Sequence, residues 1–254
     1  MATHAVLPRA LLCAFLFAGL RLPAPTFAQQ PAATQQKTTI PPGRKTYMGR
    51  RIAQTMHYTG AAWLLRTSRE REEACSRMLQ ELRLRPGMTV CDLGCGNGFY
   101  SLQMADLVGE QGHVYAVDIQ PQMLVMLRKR CEQQGVTNIS PVLGSVHDPR
   151  LPPASVDLIL LVDVYHEFSH PVLMLRAMRR ALKQDGRIAL LEYRAEDPNV
   201  PIKPLHKMTR KQAVAEFAAN GFRVRREYAG LPWQHMLLFE KDPDWKPAGD
   251  RPGP

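Results

Sequence analysis

The sequence predicts an open, doubly wound α/β sheet, and three observations carry that prediction. Short apolar runs recur along the middle of the chain, at 89–93, 113–119, 156–162 and 187–192. They are apolar on both faces, as parallel strands covered by helices are. Segments with helical spacing separate them, and Gly or Pro marks most junctions.

Taken in order, Ser68 to Leu82 has helical spacing, with Ser68 as a candidate N-cap and Glu70 to Glu73 in the first turn. Arg85-Pro86-Gly87 closes it. Thr89 to Leu93 is the first predicted strand and runs into a Gly-rich turn. Phe99 to Val108 reads as a helix that Gly109 to Gly112 stops. His113 to Ile119 is the second strand, and Pro121 to Gln134 a helix with proline in its first turn. Ser140 to Leu143 and Val156 to Val162 are the third and fourth strands. Val172 to Leu182 is a helix, and Arg187 to Glu192 the fifth strand.

The end of the chain differs. Thr209 to Asn220 predicts a helix, capped by Thr209 and stopped by Gly221. Phe222 to Tyr228 and His235 to Glu240 are strands joined by Ala229 to Gln234. That connection is too short for a helical crossover, so this pair is antiparallel.

Composition bounds the function. The 254 residues suffice for one full-size domain, and 45% apolar with 22% charged is an ordinary globular balance. This excludes a wholly disordered chain, a collagen or a disulfide-rich miniprotein. The net charge is +10, from 33 Lys+Arg against 23 Asp+Glu. Bases and acids interleave, as in Arg69-Glu70-Arg71-Glu72-Glu73, which makes a solvated surface rather than a nucleic-acid interface.

Residues 1–28 contain no acid. Arg9 precedes the apolar run Ala10 to Leu20, and Thr26-Phe27-Ala28 offers a cleavage site after Ala28. These features predict a secretory signal peptide and an exported protein. The run is shorter than the about 20 residues that span a bilayer, so no membrane insertion is expected after its removal. A mis-assigned start would instead leave the chain cytoplasmic. Residues 29–43 read as a flexible linker, 44–67 as a lid segment, 68–241 as the main domain and 242–254 as a loose tail. Cys75, Cys91, Cys95 and Cys131 fall in strand, turn and helix patterns, and read as small core or loop residues rather than disulfides or zinc ligands.

The sharpest motif runs from Val90 to Tyr100, VCDLGCGNGFY. Gly94, Gly96 and Gly98 follow a strand and open a helix, where glycine allows close backbone approach to a ligand. The dinucleotide fingerprint G-x-G-x-x-G needs a third glycine where Phe99 stands. Asp92 also precedes the turn, and a carboxylate there suits a cationic ligand better than a pyrophosphate.

This segment resembles the first motif of class I S-adenosylmethionine-dependent methyltransferases. Asp118, 24 residues after Gly94 at the end of the second strand, strengthens the resemblance. It covers Leu82 to Glu240 and implies the sheet order 3-2-1-4-5-7-6. It implies S-adenosylmethionine as cofactor, with Asp92, Gly94, Gly96 and Gly98 around the methionine part and Asp118 on the ribose hydroxyls. Asp118 is expected to stand partly exposed in the empty cleft. The acid that binds adenine in many members falls here on Asp148, which could equally cap its own loop. By the same resemblance Asp163 contacts the methionine part, and His166, just past the fourth strand, is a candidate general base or a packing residue. The acceptor is expected to be a small molecule, with no metal required.

Two other readings stay open. One is a cofactor-binding module without turnover. The other is a zinc hydrolase through His166-Glu167-Phe168-Ser169-His170, which matches H-E-x-x-H, with Glu192 as a third ligand. That motif works only with both histidines on one helix face, and here a strand precedes it and Pro171 follows.

Overall fold

The computed structural model describes Met1 and residues 40–246. Residues 2–28 of the predicted signal segment, 29–39 of the linker and 247–254 of the tail lie outside the described residues.

The main strands are β1 Thr89–Leu93, β2 His113–Asp118, β3 Ile139–Leu143, β4 Val156–Val162, β5 Leu182–Arg194, β6 Phe222–Tyr228 and β7 Gln234–Lys241. They lie in the order β3-β2-β1-β4-β5-β7-β6. The pairs from β3 to β5 are parallel, and β7 pairs antiparallel with both β5 and β6. A two-residue strand absent from the sequence reading, Lys207–Met208, runs parallel to the end of β5 off this path. β5 also begins five residues earlier than predicted, because Val156 pairs with Leu182 across an irregular register.

Helices α1 Arg69–Glu73, α2 Cys75–Leu82, α3 Phe99–Val108, α4 Pro121–Gln134, α5 Pro171–Ala181 and α6 Arg210–Ala219 fill the connections. The single helix expected over 68–82 is therefore two. Ala74 takes a left-handed conformation, φ +49°, between them. Ser68 makes no side-chain cap, whereas Thr209 accepts the Gln212 N–H at 3.1 Å as expected.

The period-2 alternation of β4 and β5 divides the core. Ile159, Leu161, Ile188 and Leu190 face a cluster with Tyr165, Phe217 and Phe239. Leu158, Leu160, Ala189 and Leu191 face another with Met78, Leu82 and Met104. Both sheet faces are thus covered, which is why these runs lack a polar face. Cys75, Cys91, Cys95 and Cys131 are free thiols, the first three buried.

The segment before α1 holds a hairpin, Thr46–Tyr47 with Arg50–Arg51, and a 3-10 helix, Tyr58–Leu65. The guanidinium of Arg50 donates to both oxygens of the buried Glu216, at 2.8 and 3.0 Å, and to the His166 carbonyl at 2.9 Å. No helix among the described residues is long and apolar enough to cross a membrane.

Candidate active site

Parallel register brings the carboxyl ends of β1, β2, β4 and β5 to one edge, pairing Leu93 with Val117 and Val162 with Leu191. Ligands of open α/β sheets bind at this edge. A cavity of about 580 Å³ opens there. Small-molecule sites span about 300–1,000 Å³. Gly94, Gly96, Asp118, Asp163 and His166 line it, as do Thr55, Met56, Trp63 and Leu64 from the N-terminal segment.

The turn after β1 folds against β2. The Gly94 and Cys95 N–H groups both donate to the Val117 carbonyl, at 2.8 and 3.0 Å. Gly94 has φ +79°, and a Cβ there would sit 2.5 Å from Val164 Cγ2. Neither the conformation nor the space admits a side chain. Gly98 is not in the cavity wall. It starts α3 at φ +82°, and its missing Cβ makes room for Leu127.

Asp118 is only 7% exposed, so the expectation of a partly exposed side chain does not hold. Its carboxylate accepts the Gly96 N–H at 2.9 Å and the Gln120 N–H at 2.8 Å. Burial pushes its pKa up, and those two backbone donors pull the other way. Gln120 in turn donates to the Met56 carbonyl and accepts the Tyr58 N–H, tying the N-terminal segment to the cavity rim.

Besides Gly98, two more predicted residues stand outside the wall. Asp92 lies beneath the turn, outside the cavity wall, with its carboxylate 2.6 Å from the Ser101 hydroxyl that donates to it. Burial raises its pKa to about 6, against the Ser101 hydrogen bond. Asp148 is also outside the wall. Its oxygens accept the Arg150 N–H at 2.7 Å and meet Arg180 at 3.1 Å, the contacts of the loop-capping alternative. Ser145 and Val146 line the cavity instead.

Asp163 is in the left-handed region, φ +52°, at the end of β4. Its Oδ2 accepts from Gln234 Nε2 at 2.8 Å, while its Oδ1 and the Gln234 Oε1 are buried without a partner. Burial, with the charges of Glu73 and Glu192, pushes its pKa far up. Glu73 itself gathers Arg66, Arg69 and Tyr193 beside the same cavity.

His166 occupies the short turn Tyr165–Glu167. Its Nδ1 lies 2.6 Å from Glu192 Oε2, its N–H donates to Glu192 Oε1 at 3.1 Å, and its Nε2 lies 3.0 Å from His206 Nδ1. Burial alone would lower its pKa, but the charge and hydrogen bond of Glu192 outweigh that and raise it. One ligand atom each from His166, Glu167 and His206 lies within 4.8 Å of the others. His170 is not in this group. It precedes α5, with its ring nitrogen 2.9 Å from Ser169 Oγ, so residues 166–170 do not form the single helix that H-E-x-x-H requires.

Comparison with known proteins agrees with this geometry. A family model described as a methyltransferase domain matches residues 84–235. The chain belongs to this methyltransferase-domain family. The fold is that of a class I S-adenosylmethionine-dependent methyltransferase, and S-adenosylmethionine is its cofactor. An S-adenosylmethionine-dependent methyltransferase from Aquifex aeolicus superposes with a TM-score of 0.69 at 25% identity, over 73% of this chain and 98% of that one. The chain is 32% identical over 128 residues to a Shewanella ubiquinone/menaquinone biosynthesis C-methyltransferase, covering 50% of this chain and 48% of the relative. It is 28% identical over 120 residues to a Listeria welshimeri demethylmenaquinone methyltransferase, covering 47% and 50%. The chain spans about half the length of these curated relatives.

The residues of the methyltransferase domain suit that cofactor. Asp163 Oδ1 is buried at the cavity without a hydrogen-bond partner, and an ammonium group beside it would favour the carboxylate over the protonated form that burial favours. Asp118 has lone pairs left for hydroxyl donors after its two backbone bonds.

His206, Gln234 and Arg66 are residues that sequence reasoning missed, and Arg69 and Glu73, expected on a solvated surface, are instead buried as an ion pair beside the cavity. His206 sits in a non-periodic, Pro-containing stretch 40 positions from His166, with no motif to mark it.

Proposed function

We propose that this chain transfers a methyl group from S-adenosylmethionine to a small-molecule acceptor with an ionisable ring oxygen or its adjacent carbon. The observation that carries this reading is one cavity lined by both the Gly94–Gly96–Asp118 cofactor elements and the His166–His206 pair. The cofactor supplies a sulfonium methyl group already activated for displacement. The chain's task is then to align the acceptor, exclude water and hold a proton.

Asp118 binds the ribose hydroxyls, and Asp163 with Gln234 takes the ammonium end. Gly94 and Gly96 let the backbone come close. Met56, Phe168, Met174 and Ile202 supply apolar walls for a ring. Glu192 orients the His166 ring, so that its Nε2, now against His206, can accept the acceptor's proton. The quinone pathways named for the Shewanella and Listeria relatives agree with an apolar ring substrate.

Residues 44–67 form the lid of this reading, and residues 1–28 an export signal; N-terminal sequencing of the native protein tests the latter. Turnover with methyl-labelled S-adenosylmethionine and quinone-type phenols tests the activity. Transfer of label to the phenol supports it. Tight cofactor binding without transfer to any acceptor returns the chain to a binding module.

A further inference from the structure

We propose that His166, His206 and Glu167 form a site for a divalent transition-metal ion, with Glu192 as its outer carboxylate. Four observations carry this inference, and none depends on the methyl-transfer reading.

The first is convergence. His166 Nε2 lies 3.0 Å from His206 Nδ1 and 3.9 Å from Glu167 Oε1, and the ligand atoms of all three lie within 4.8 Å of one another. A tetrahedral ion with bonds of about 2.0–2.1 Å separates its ligands by about 3.3 Å. The histidines therefore part slightly and Glu167 closes in, with no change of fold.

The second is the donor set. Two imidazole nitrogens and one carboxylate suit zinc, iron(II) or manganese(II) and leave coordination positions open. All three residues line the cavity, so those positions are available to a bound small molecule.

The third is the outer shell. A metal-bound histidine characteristically gives its other ring nitrogen to a carboxylate, which fixes the tautomer. Glu192 Oε2 stands 2.6 Å from His166 Nδ1, which directs the Nε2 lone pair toward His206. Two imidazole nitrogens facing each other at 3.0 Å must share a proton. A metal ion replaces that proton.

The fourth is rigidity. The His166 N–H donates to Glu192, and its carbonyl accepts from Ala53 at 3.1 Å and from Arg50 at 2.9 Å. Glu167 Oε1 accepts the Met56 N–H at 3.1 Å. Two of the three ligands, His166 and Glu167, are thus held by the chain before any ion arrives.

The site departs from H-E-x-x-H: its second histidine is His206 rather than His170. The ligand it would take at the open position is an alcohol, phenol or enol oxygen. With the ion bound, His166 Nε2 is a ligand and no longer a base; coordination instead lowers the pKa of that oxygen, which gives its proton to water and becomes a stronger nucleophile than the neutral hydroxyl.

The test is calorimetric titration of Zn²⁺ into tag-free, chelator-stripped protein without S-adenosylmethionine. One Zn²⁺ per chain is expected. His206→Ala should weaken it at least a hundredfold, and Glu192→Gln about 10–100-fold, while His170→Ala leaves it unchanged. Circular dichroism confirms each variant is folded. His206 is partly exposed, so its variant decides the matter if His166→Ala fails to fold. No stoichiometric uptake, or equal uptake by folded His206→Ala, overturns the site. A parallel titration with S-adenosylhomocysteine reads the cofactor site separately, so failure of one assignment is distinguishable from failure of the other.

Discussion

His166 Nδ1 lies 2.6 Å from Glu192 Oε2, and both side chains are almost wholly buried. Adjacent parallel strands create this contact, since Val162 pairs with Leu191 one residue before Glu192 and shortly before His166. In the proposed function His166 is the base, and a positioned base contributes roughly 10²–10⁴-fold to turnover. His166→Ala should therefore lower kcat by that order, with cofactor affinity little changed. His170→Ala should leave both close to wild type. Steady-state kinetics with binding isotherms on the two variants checks this, and equal losses in both would refute the distinction.

Asp92 predicts a pH dependence of stability. Its folded pKa is raised to about 6 by burial, from an ordinary 3.8. A raised carboxylic acid keeps its proton in the folded state while the unfolded chain releases it. The folded state is therefore favoured below the unfolded pKa, and this advantage is lost as pH rises from about 4 to about 6, then stays constant. The size is on the order of 3 kcal/mol, at 1.36 per pKa unit. Asp92→Asn keeps an acceptor for Ser101 and removes the titration. Urea unfolding between pH 4 and 7 should show the variant gaining on wild type as pH rises. Parallel profiles would contradict this.

Glu216 anchors the N-terminal hairpin. It is fully buried, takes both Arg50 contacts and accepts the Tyr165 hydroxyl at 2.7 Å. Removing one partner of a buried ion pair leaves an uncompensated charge and costs about 3–5 kcal/mol. Glu216→Ala should lose stability of that order in chemical denaturation. A loss under 1 kcal/mol would mean that the pair holds nothing in place.

Much of the fold was legible in the sequence because the strands are buried on both faces and glycine marks their ends. Thr89–Leu93 and Val156–Val162 match their predicted spans, and the antiparallel end followed from the short Ala229–Gln234 connection. The break at Ala74 was hidden, since alanine is the best helix former and nothing local signals a left-handed turn. In the site, Gly94, Gly96, Asp118, Asp163 and His166 converge because each ends or follows a strand at the same sheet edge. Asp92 and Asp148 carry the same chemistry, but Ser101 and Arg180 engage them away from the cavity. His206 arrives from a loop whose path depends on tertiary contacts, such as the Lys207–Met208 pairing with β5.

Asp118 carries the central claim, that this sheet edge binds S-adenosylmethionine. Asp118→Ala would strand the Gly96 and Gln120 N–H groups, at about 1–3 kcal/mol for each unsatisfied group, so it confounds folding with binding. Asp118→Asn removes the charge and keeps one of the two backbone bonds, leaving one N–H instead of two without an acceptor, so its fold is checked by circular dichroism before binding is read. Hydrogen bonds to a charged group contribute about 1.5–3 kcal/mol, and 1.4 kcal/mol is about tenfold in affinity. Titration calorimetry of S-adenosylmethionine into wild type and Asp118→Asn is the direct measurement. The account predicts one cofactor per chain, with affinity in the folded variant lower by roughly tenfold to several hundredfold. Unchanged affinity in a folded variant, or a wild type that binds NAD and not S-adenosylmethionine, would contradict it.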